Sequence, residues 1–391
     1  MYRYAVAGAG LQGTAIAYDL GLHGNAKKIL LIDADEDRAL SSAKRVNDLI
    51  GKNIVSGVRL DVRETGMFIK LLQNQNIQTL ICAMQYELNN LMTWVATKTK
   101  INMCDLGGST EIVRVQHAYN KLARTNDITI VPDCGMGPGL NLSLAMYAMD
   151  AIDQPEELYI WDGGLPQNPE KPWNYNMTFN IRGLTNEYAG DAYFLRNGDI
   201  VNIPALSELE TLSFPEAFGT LEAAVTSGGL STAPWTLKGK LKRLENKTLR
   251  HPGHWAQMQT LRNLGMFRER PEKVGKINIA PRDLLHALLE PQIKKSNVHD
   301  ICVIRTLCLG KNQSNQKTTS KVELIDRYDN KTGFTAMQKL TGWHASIVAI
   351  LCTKGRLPRG VVAVETIPGS LIVCEMRKRG FKISETIELT K

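Results

Sequence analysis

The most constraining feature of this 391-residue chain is its beginning, YRYAVAGAGLQGTAIAYDLGLHG. Tyr4 to Ala7 read as a short buried strand and Thr14 to Leu22 as a helix, with Gly8, Gly10 and Gly13 forming G-x-G-x-x-G at the bend between them. Each glycine has a mechanical task. Gly8 makes the tight turn, Gly10 lets the backbone approach a pyrophosphate, and Gly13 lets helix and strand pack closely. Leu11 and Gln12 complete the motif. Free N–H groups and the helix dipole favour an anion at the helix start. The next strand, KKILLIDAD, ends at Asp33, about twenty residues past the last glycine. An acid there holds both ribose hydroxyls and repels a 2′-phosphate, so the expected cofactor is NAD rather than NADP. The alternative is a glycine-rich turn beside an exposed acid.

The alternation continues. VSGVRLDV reads as a third strand ending near Asp61, ETGMFIKLLQNQ as a helix, and IQTLICAM as a fourth strand. ELNNLMTWVATKTK, INMCDLGG, EIVRVQHAYNKLART and ITIVPDCG then read as helix, strand, helix and strand. Apolar strands separated by helices predict an α/β fold with a Rossmann-type, doubly wound parallel sheet. Ligands bind beyond the carboxyl ends of such strands. Candidate cofactor contacts are therefore Asp61, Met84 and Gln85, with Tyr86 beside them, then Asp105 to Gly108, and Asp133 to Gly139 including Gly137. DCGMGPG lies where a nicotinamide should project. Its glycines permit close backbone approach, the helix after it offers N–H groups to an anion, and Pro138 stiffens the exit; a plain interdomain hinge is the alternative.

From about Leu140 the pattern changes. A helix, LNLSLAMYAMDAI, leads into strand-like ELYIWDGG, WNYNMTFNI and DAYFLRNGDIVNI, with a turn at Asn197-Gly198. A loop and helix precede the strand DICVIRTLCLG, and GKNQSNQKTTSK reads as a polar hairpin tip. AMQKLTGWHASIVAILCTKG is a long apolar helix that must be buried, best against the first sheet. The expected organisation is a dinucleotide-binding domain over residues 1–139 and an α+β substrate and dimerisation domain over 140–336. A C-terminal segment, 337–391, then returns to the first domain. Two crossings make a hinge, and the cleft between the domains is the expected active site.

Composition narrows the class. Hydrophobic residues are 43% and charged residues 22%, an ordinary globular balance. No apolar run reaches the roughly 18 residues of a membrane span, and MYRYAVAGAG starts a strand at once, so a cytoplasmic enzyme without a leader or membrane partner is expected. Net charge is +8, but the basic residues are scattered and interleaved with apolar ones. They read as solvated faces that attract anionic cofactors or substrates rather than nucleic acid. The seven cysteines are odd in number and show no C-x-x-C spacing, as expected of reduced thiols. His251 and His254 in HPGH lack a third ligand nearby, so no metal is expected.

Several motifs together resemble the saccharopine dehydrogenase family, and most closely the lysine 6-dehydrogenases. They are GAGLQG, CDLGG, PDCGMGPGLN, Tyr175-Asn176, RNGDIVNIPALSELE, LEAAVTSGGLST, KRLENKTLRHPGH, APRDLLHALLEP and TGWHASIVAIL. The resemblance runs nearly end to end. It implies a hydride transfer, linked to NAD or NADP, at a carbon bearing an amine. In the lysine 6-dehydrogenases that carbon is the ε-carbon of lysine, whose imine loses ammonia. It also implies a homo-oligomer, dimer or tetramer, acting on a small amino acid. Tyr86 matches a tyrosine after the fourth strand. Arg250 matches an arginine suited to clamp a substrate carboxylate, or else to make a structural ion pair. Tyr175 and the Ser227-Gly228 turn fall with the substrate. Two departures bear on the substrate: Arg182 stands where the family carries an acid, and Asn246 where it often carries an aromatic.

An ε-ammonium has a pKa of about 10.4, so the site must remove a proton before hydride leaves. Asp105 and Tyr86 are the expected proton-handling residues, with His254 a further candidate and Asp133 a turn-satisfying acid. Three readings stay open: a lysine 6-dehydrogenase type; a saccharopine reductase or polyamine-pathway dehydrogenase acting on a secondary amine, with Arg182 as a second anion site; and a non-catalytic NAD-binding sensor.

Overall fold

The computed structural model describes residues 1–214, 218–295 and 298–389. The first part alternates: β1 (Tyr2–Ala7), α1 (Leu11–His23), β2 (Ala26–Asp33), α2 (Glu36–Ile50), β3 (Val55–Arg59), α3 (Thr65–Asn74), β4 (Thr79–Cys82), α4 (Asn89–Thr99), β5 (Asn102–Asp105), α5 (Thr110–His117), α6 (Asn120–Thr125) and β6 (Thr129–Val131). The middle comprises α7 (Leu140–Asp150), β7 (Gln154–Pro166), α8 (Ile181–Glu187), β8 (Asp191–Arg196), β9 (Asp199–Pro204), β10 (Glu210–Ser213), β11 (Thr220–Val225), α9 (Ala233–Leu237) and β12 (Arg243–Arg250). Then come α10 (His254–Asn263), β13 (Glu272–Val274), β14 (Ile277–Ile279), α11 (Pro281–Ile293), β15 (Asp300–Lys311) and β16 (Lys317–Arg327). The chain closes with α12 (Ala336–Thr353), β17 (Gly360–Val361), α13 (Gly369–Lys378) and β18 (Ile383–Leu389).

The expected parallel sheet is present, in the order β17-β6-β5-β4-β1-β2-β3. All its pairings are parallel. Its central strands are buried on both faces, as their unbroken apolar runs require. The second sheet runs β10-β11-β12-β7-β15-β16-β18, with β8 and β9 appended. It is mixed: β12 pairs β7 in parallel, while each successive pair along β7, β15, β16 and β18 is antiparallel. The Asn197-Gly198 turn joins β8 to β9 with positive φ at both residues, the geometry that Asn-Gly accepts in a two-residue hairpin. The last strand, β18, lies in the second sheet beside β16.

Three local expectations need correction. WNYNMTFNI is not a strand: 173–180 is irregular and leads into α8, because its aromatic residues pack around Trp255, Met258 and Phe267 rather than pairing with a neighbouring strand. EIVRVQHAYNKLART is two helices, since the Ala118 and Tyr119 N–H groups reach back only three residues, to Val115 and Gln116. The third strand ends at Arg59, and Asp61 lies in the turn that follows.

The long apolar helix α12 is buried along nearly its whole length. It packs against α1 so closely that a Cβ on Gly342 would stand 2.8 Å from the Ala15 Cβ. One apolar cluster joins β1, α1, α7, α12, β7 and β15. The two crossings expected to act as a hinge are therefore thick, with α7 and α12 forming a layer shared by both sheets.

Every N–H at the start of α12 is satisfied. Ala336 N and Met337 N donate to the two Asp300 carboxylate oxygens at 2.7 and 2.8 Å, while Thr335 and Gln338 form a reciprocal capping box. The buried Asp300, on β15, thus ties the second sheet to the helix that lies on the first. Asp300→Ala should orphan two buried donors and lower stability by about 2 kcal/mol, read as a lower denaturant midpoint at unchanged m-value. An unchanged midpoint would mean that another group takes over the cap.

Candidate active site

The carboxyl ends of β1, β4, β5 and β6 face loops of the second sheet. At the β1–α1 bend, Gly8 has φ +101, and a Cβ on Gly13 would overlap the Gly8 carbonyl oxygen. Gly10 is different, because a Cβ there would meet nothing within 4 Å. The first helical hydrogen bond is Thr14 N to Gly10 O, at 3.0 Å. Among the described residues no acceptor meets the N–H groups of Leu11, Gln12 or Gly13. An open space beside unpaired N–H groups at a helix start fits a dinucleotide phosphate.

Asp33, at the end of β2, accepts from Ala9 N and Asp35 N, both at 3.0 Å, and lies 3.6 Å from an Arg38 nitrogen. Asp61 grips Arg63, which holds its carboxyl down at about 2. Met84 is half-buried and Gln85 exposed.

DCGMGPG folds upon itself. Its helix does not offer N–H groups to an anion, contrary to expectation: Leu140 N donates to Gly135 O, Asn141 N to Met136 O, and Leu142 N to Asn141 Oδ1. His344 of α12, wholly buried, meets the Cys134 carbonyl at 2.9 Å and Ser143 Oγ at 3.2 Å. Gly137 lacks a side chain because Asp162, on β7, stands directly against it.

Asp105 is buried and accepts from Gly107 N at 2.9 Å, Asp133 N at 3.2 Å and Gln116 Nε2 at 2.7 Å. These bonds commit it to shaping its own loop. The turn-satisfying task read for Asp133 thus belongs to Asp105. Asp133 has φ +63, takes the Ser231 hydroxyl on Oδ2, and leaves Oδ1 buried with no partner among the described residues. Burial, reinforced by Asp105, raises its carboxyl well above the usual range. Tyr86 starts a short 3₁₀ turn and lies over Gly108. Burial raises its hydroxyl, so it stays protonated at neutral pH.

Bonds across the gap lock the loops together. Asn186 Nδ2 donates to Gly108 O at 2.9 Å, Asn141 Nδ2 donates to Gly229 O at 3.1 Å, and Ser231 donates to Asp133. Ser227 holds the end of α8, its N–H on Glu187 O at 2.8 Å and its hydroxyl on Asn186 O at 2.7 Å. Gly228 takes φ +87 in the same turn.

Behind this line lies a charged, aromatic chamber. Arg250 is buried, with its guanidinium carbon 5.0 Å from the Tyr175 ring centroid, 5.7 Å from Trp255 and 6.0 Å from Tyr188. Its Nε donates to Tyr188 Oη at 3.1 Å and its Nη1 to Leu249 O at 2.9 Å. Tyr188 Oη lies 2.9 Å from His254 Nε2, and His254 Nδ1 lies 3.2 Å from Trp173 O. Burial and Arg250 push His254 down to about 3. A neutral His254 donating to Trp173 O and accepting from Tyr188 satisfies the whole chain, so it supports the tyrosine and is not a base. Tyr175 Oη is buried with no partner among the described residues.

Two carboxylates flank Arg250. Asp162 accepts from Asn246 Nδ2 at 2.5 Å on one oxygen, has the Asn141 side-chain amide as a second partner, and sets its other oxygen against Gly137. Burial pushes it up to about 6, against the pull of Asn246 and Arg250. Glu187 lies 3.6 Å from Arg250 Nη2, and burial pushes it up to about 7. Sequence reading missed both. Asp162 carried a usable signal, a lone acid in the apolar strand YIWDGGL; Glu187 carried none. Asn246, noted as a departure, is the residue that holds Asp162. Arg182 is exposed, outside the chamber, and its charge reaches the Tyr86 hydroxyl together with those of Glu87, Glu269 and Arg282.

Residues 135–381 match the saccharopine dehydrogenase C-terminal domain family. The mitochondrial alpha-aminoadipic semialdehyde synthase of Rattus norvegicus is 23% identical over 260 residues, or 61% of this chain and 26% of that protein. The Mus musculus counterpart is 24% identical over 169 residues, 41% of this chain and 17% of that protein. The chain thus spans about a quarter or less of these relatives. Apo, histidine-tagged saccharopine dehydrogenase (L-Glu forming) from Saccharomyces cerevisiae superposes with a TM-score of 0.79 at 15% identity, over 99% of this chain and 100% of that one. That likeness is one of fold. With the domain match covering more than half of its 391 residues, the chain belongs to the saccharopine dehydrogenase family.

Proposed function

We propose that this protein is a nicotinamide-dependent oxidoreductase acting on a carbon–nitrogen bond of an amino acid, with oxidative deamination of the lysine side chain as the best-supported reaction. The observation that carries the reading is Asp162, a buried carboxylate pressed against Gly137 on the loop nearest the expected nicotinamide. Family membership and the β1–α1 bend support the cofactor class. Gly8, Gly10, Leu11, Gln12 and Gly13 would hold the pyrophosphate and Asp33 the adenosine ribose, which favours NAD over NADP. The bound cofactor supplies a hydride acceptor.

The residues of the chain handle protons and position the amine. A substrate ammonium entering the chamber loses hydration, which lowers its pKa from about 10.4. Asp162, rather than Asp105 or Tyr86, takes that proton: Asp105 has its oxygens engaged, and Tyr86 holds its own proton. The neutral amine can then support departure of hydride from the adjacent carbon. Once Asp162 has released that proton to solvent, its carboxylate can orient a water toward the resulting imine, from which ammonia then leaves.

A second reading, a secondary amine of the saccharopine type, draws on the exposed Arg182 near Tyr86 as an anchor for an extra carboxylate, since Arg282 is already paired to Glu269. The test is a panel of amino acids, diamines and saccharopine, each with NAD and with NADP, followed by the absorbance of reduced nicotinamide. Lysine with NAD should respond most strongly. Turnover with saccharopine alone selects the second reading, and tight cofactor binding without turnover of any amine leaves only the sensor.

A further inference from the structure

Arg250 and Glu187 form an ion pair held open. At 3.6 Å, Arg250 Nη2 and Glu187 Oε2 are beyond hydrogen-bond reach. Two other guanidinium N–H groups are spent on Tyr188 and Leu249, out of the five an arginine carries. The Arg250 guanidinium and the backbone that carries Glu187 are both held in place. Arg250 is packed among three rings, and the last turn of α8 is fixed by Ser227 on the Asn186 and Glu187 carbonyls. Beside the pair is the Tyr175 hydroxyl, 3% exposed as a residue and without a partner among the described residues. Such a buried orphan is costly unless a ligand completes it.

We propose that this open pair is a receptor for the zwitterionic head of an α-amino acid, with Arg250 and Tyr175 taking the carboxylate and Glu187 the α-ammonium. The inference rests on the reading of this chamber as an amino acid site, and it assigns the end of the substrate remote from the reacting carbon. An arginine alone would accept any carboxylate. The glutamate restricts the class to substrates with a free α-amine. The charges support the match. With Glu187 ionised opposite the α-ammonium, Arg250 and Glu187 cancel, as do the two ends of the zwitterion, so docking buries no net charge. Asp162 remains as one negative charge, which a side-chain ammonium neutralises on arrival. Glu187 is open to a ligand, with 28% of its side chain exposed.

The test is a calorimetric titration of the full chain, with and without NADH so that no turnover occurs. The probes are L-lysine, 6-aminohexanoate, which lacks the α-amine, and 1,5-diaminopentane, which lacks the carboxylate. Lysine should bind at least tenfold more tightly than either analogue. Glu187→Gln should weaken lysine at least tenfold and leave 6-aminohexanoate unchanged, while Glu187→Asp should recover part of the loss. Absence of lysine binding, lysine and 6-aminohexanoate binding within threefold of each other, or equal weakening of both by Glu187→Gln would each overturn the receptor. The oxidoreductase reading is judged separately, by NADH formation on the amine panel. A protein that discriminates these ligands but turns over none keeps the receptor and loses the enzyme.

Discussion

Asp162→Asn should lower kcat on the amine substrate by about 10² to 10⁴-fold, the range for removal of a positioned base. In the native protein kcat/KM should rise with pH through about 6, where Asp162 loses its proton, and that limb should vanish in the variant. Stability should move the other way. The folded pKa of Asp162 is raised above its unfolded value, so the folded chain binds more protons and stability falls as pH rises. Its contribution is fully present below about pH 4, the ordinary aspartate value, and is lost as pH passes through about 6. Asp162→Asn should therefore melt at or above the native temperature at pH 8, and the two proteins should converge in acid. Intact activity with a shifted limb would move the base elsewhere, with Asp133 the next buried acid to test.

The glycines at the β1–α1 bend should separate folding from binding. Gly13→Ala drives a methyl into the Gly8 carbonyl. Backbone cannot step aside as a side-chain tip can, so the expected cost is about 3 kcal/mol, with cofactor binding lost alongside. Gly10→Ala meets nothing in the chain, so stability should change by less than about 0.5 kcal/mol. NAD affinity should still fall at least tenfold, because the added methyl would fill the space proposed for the pyrophosphate. Thermal melts and NAD titrations on both variants check this. A Gly10→Ala protein that binds NAD like the native chain would place the pyrophosphate elsewhere.

What could be read from the residues followed from local rules. The glycine spacing before α1, Asp33 at the end of β2 and the unbroken apolar run of α12 each encode their environment within a few residues. Periodicity and turn chemistry are short-range properties. The misreadings have a common cause. WNYNMTFNI has the composition of a strand, but whether it pairs depends on a neighbour, and its rings instead find Trp255 and Phe267. The N-terminus of α7 resembles an anion site until Gly135, Met136 and Asn141 fold back to take its donors. Arg250 was visible as a residue, yet its three-ring enclosure draws on 173–180, α8, α10 and β12 together.

The sequence by itself determined the parallel sheet, the glycine-rich β1–α1 bend, the buried return helix and the family, since each is written in contiguous patterns. Only the tertiary structure decided which acids face the cleft. Asp105, at the end of β5, and Asp162, within β7, are both buried carboxylates. The first is taken up by Gln116 and backbone N–H groups, whereas the second meets the side-chain amides of Asn246 and Asn141 and faces Gly137, because a carboxylate's availability depends on which donors the rest of the fold brings to it.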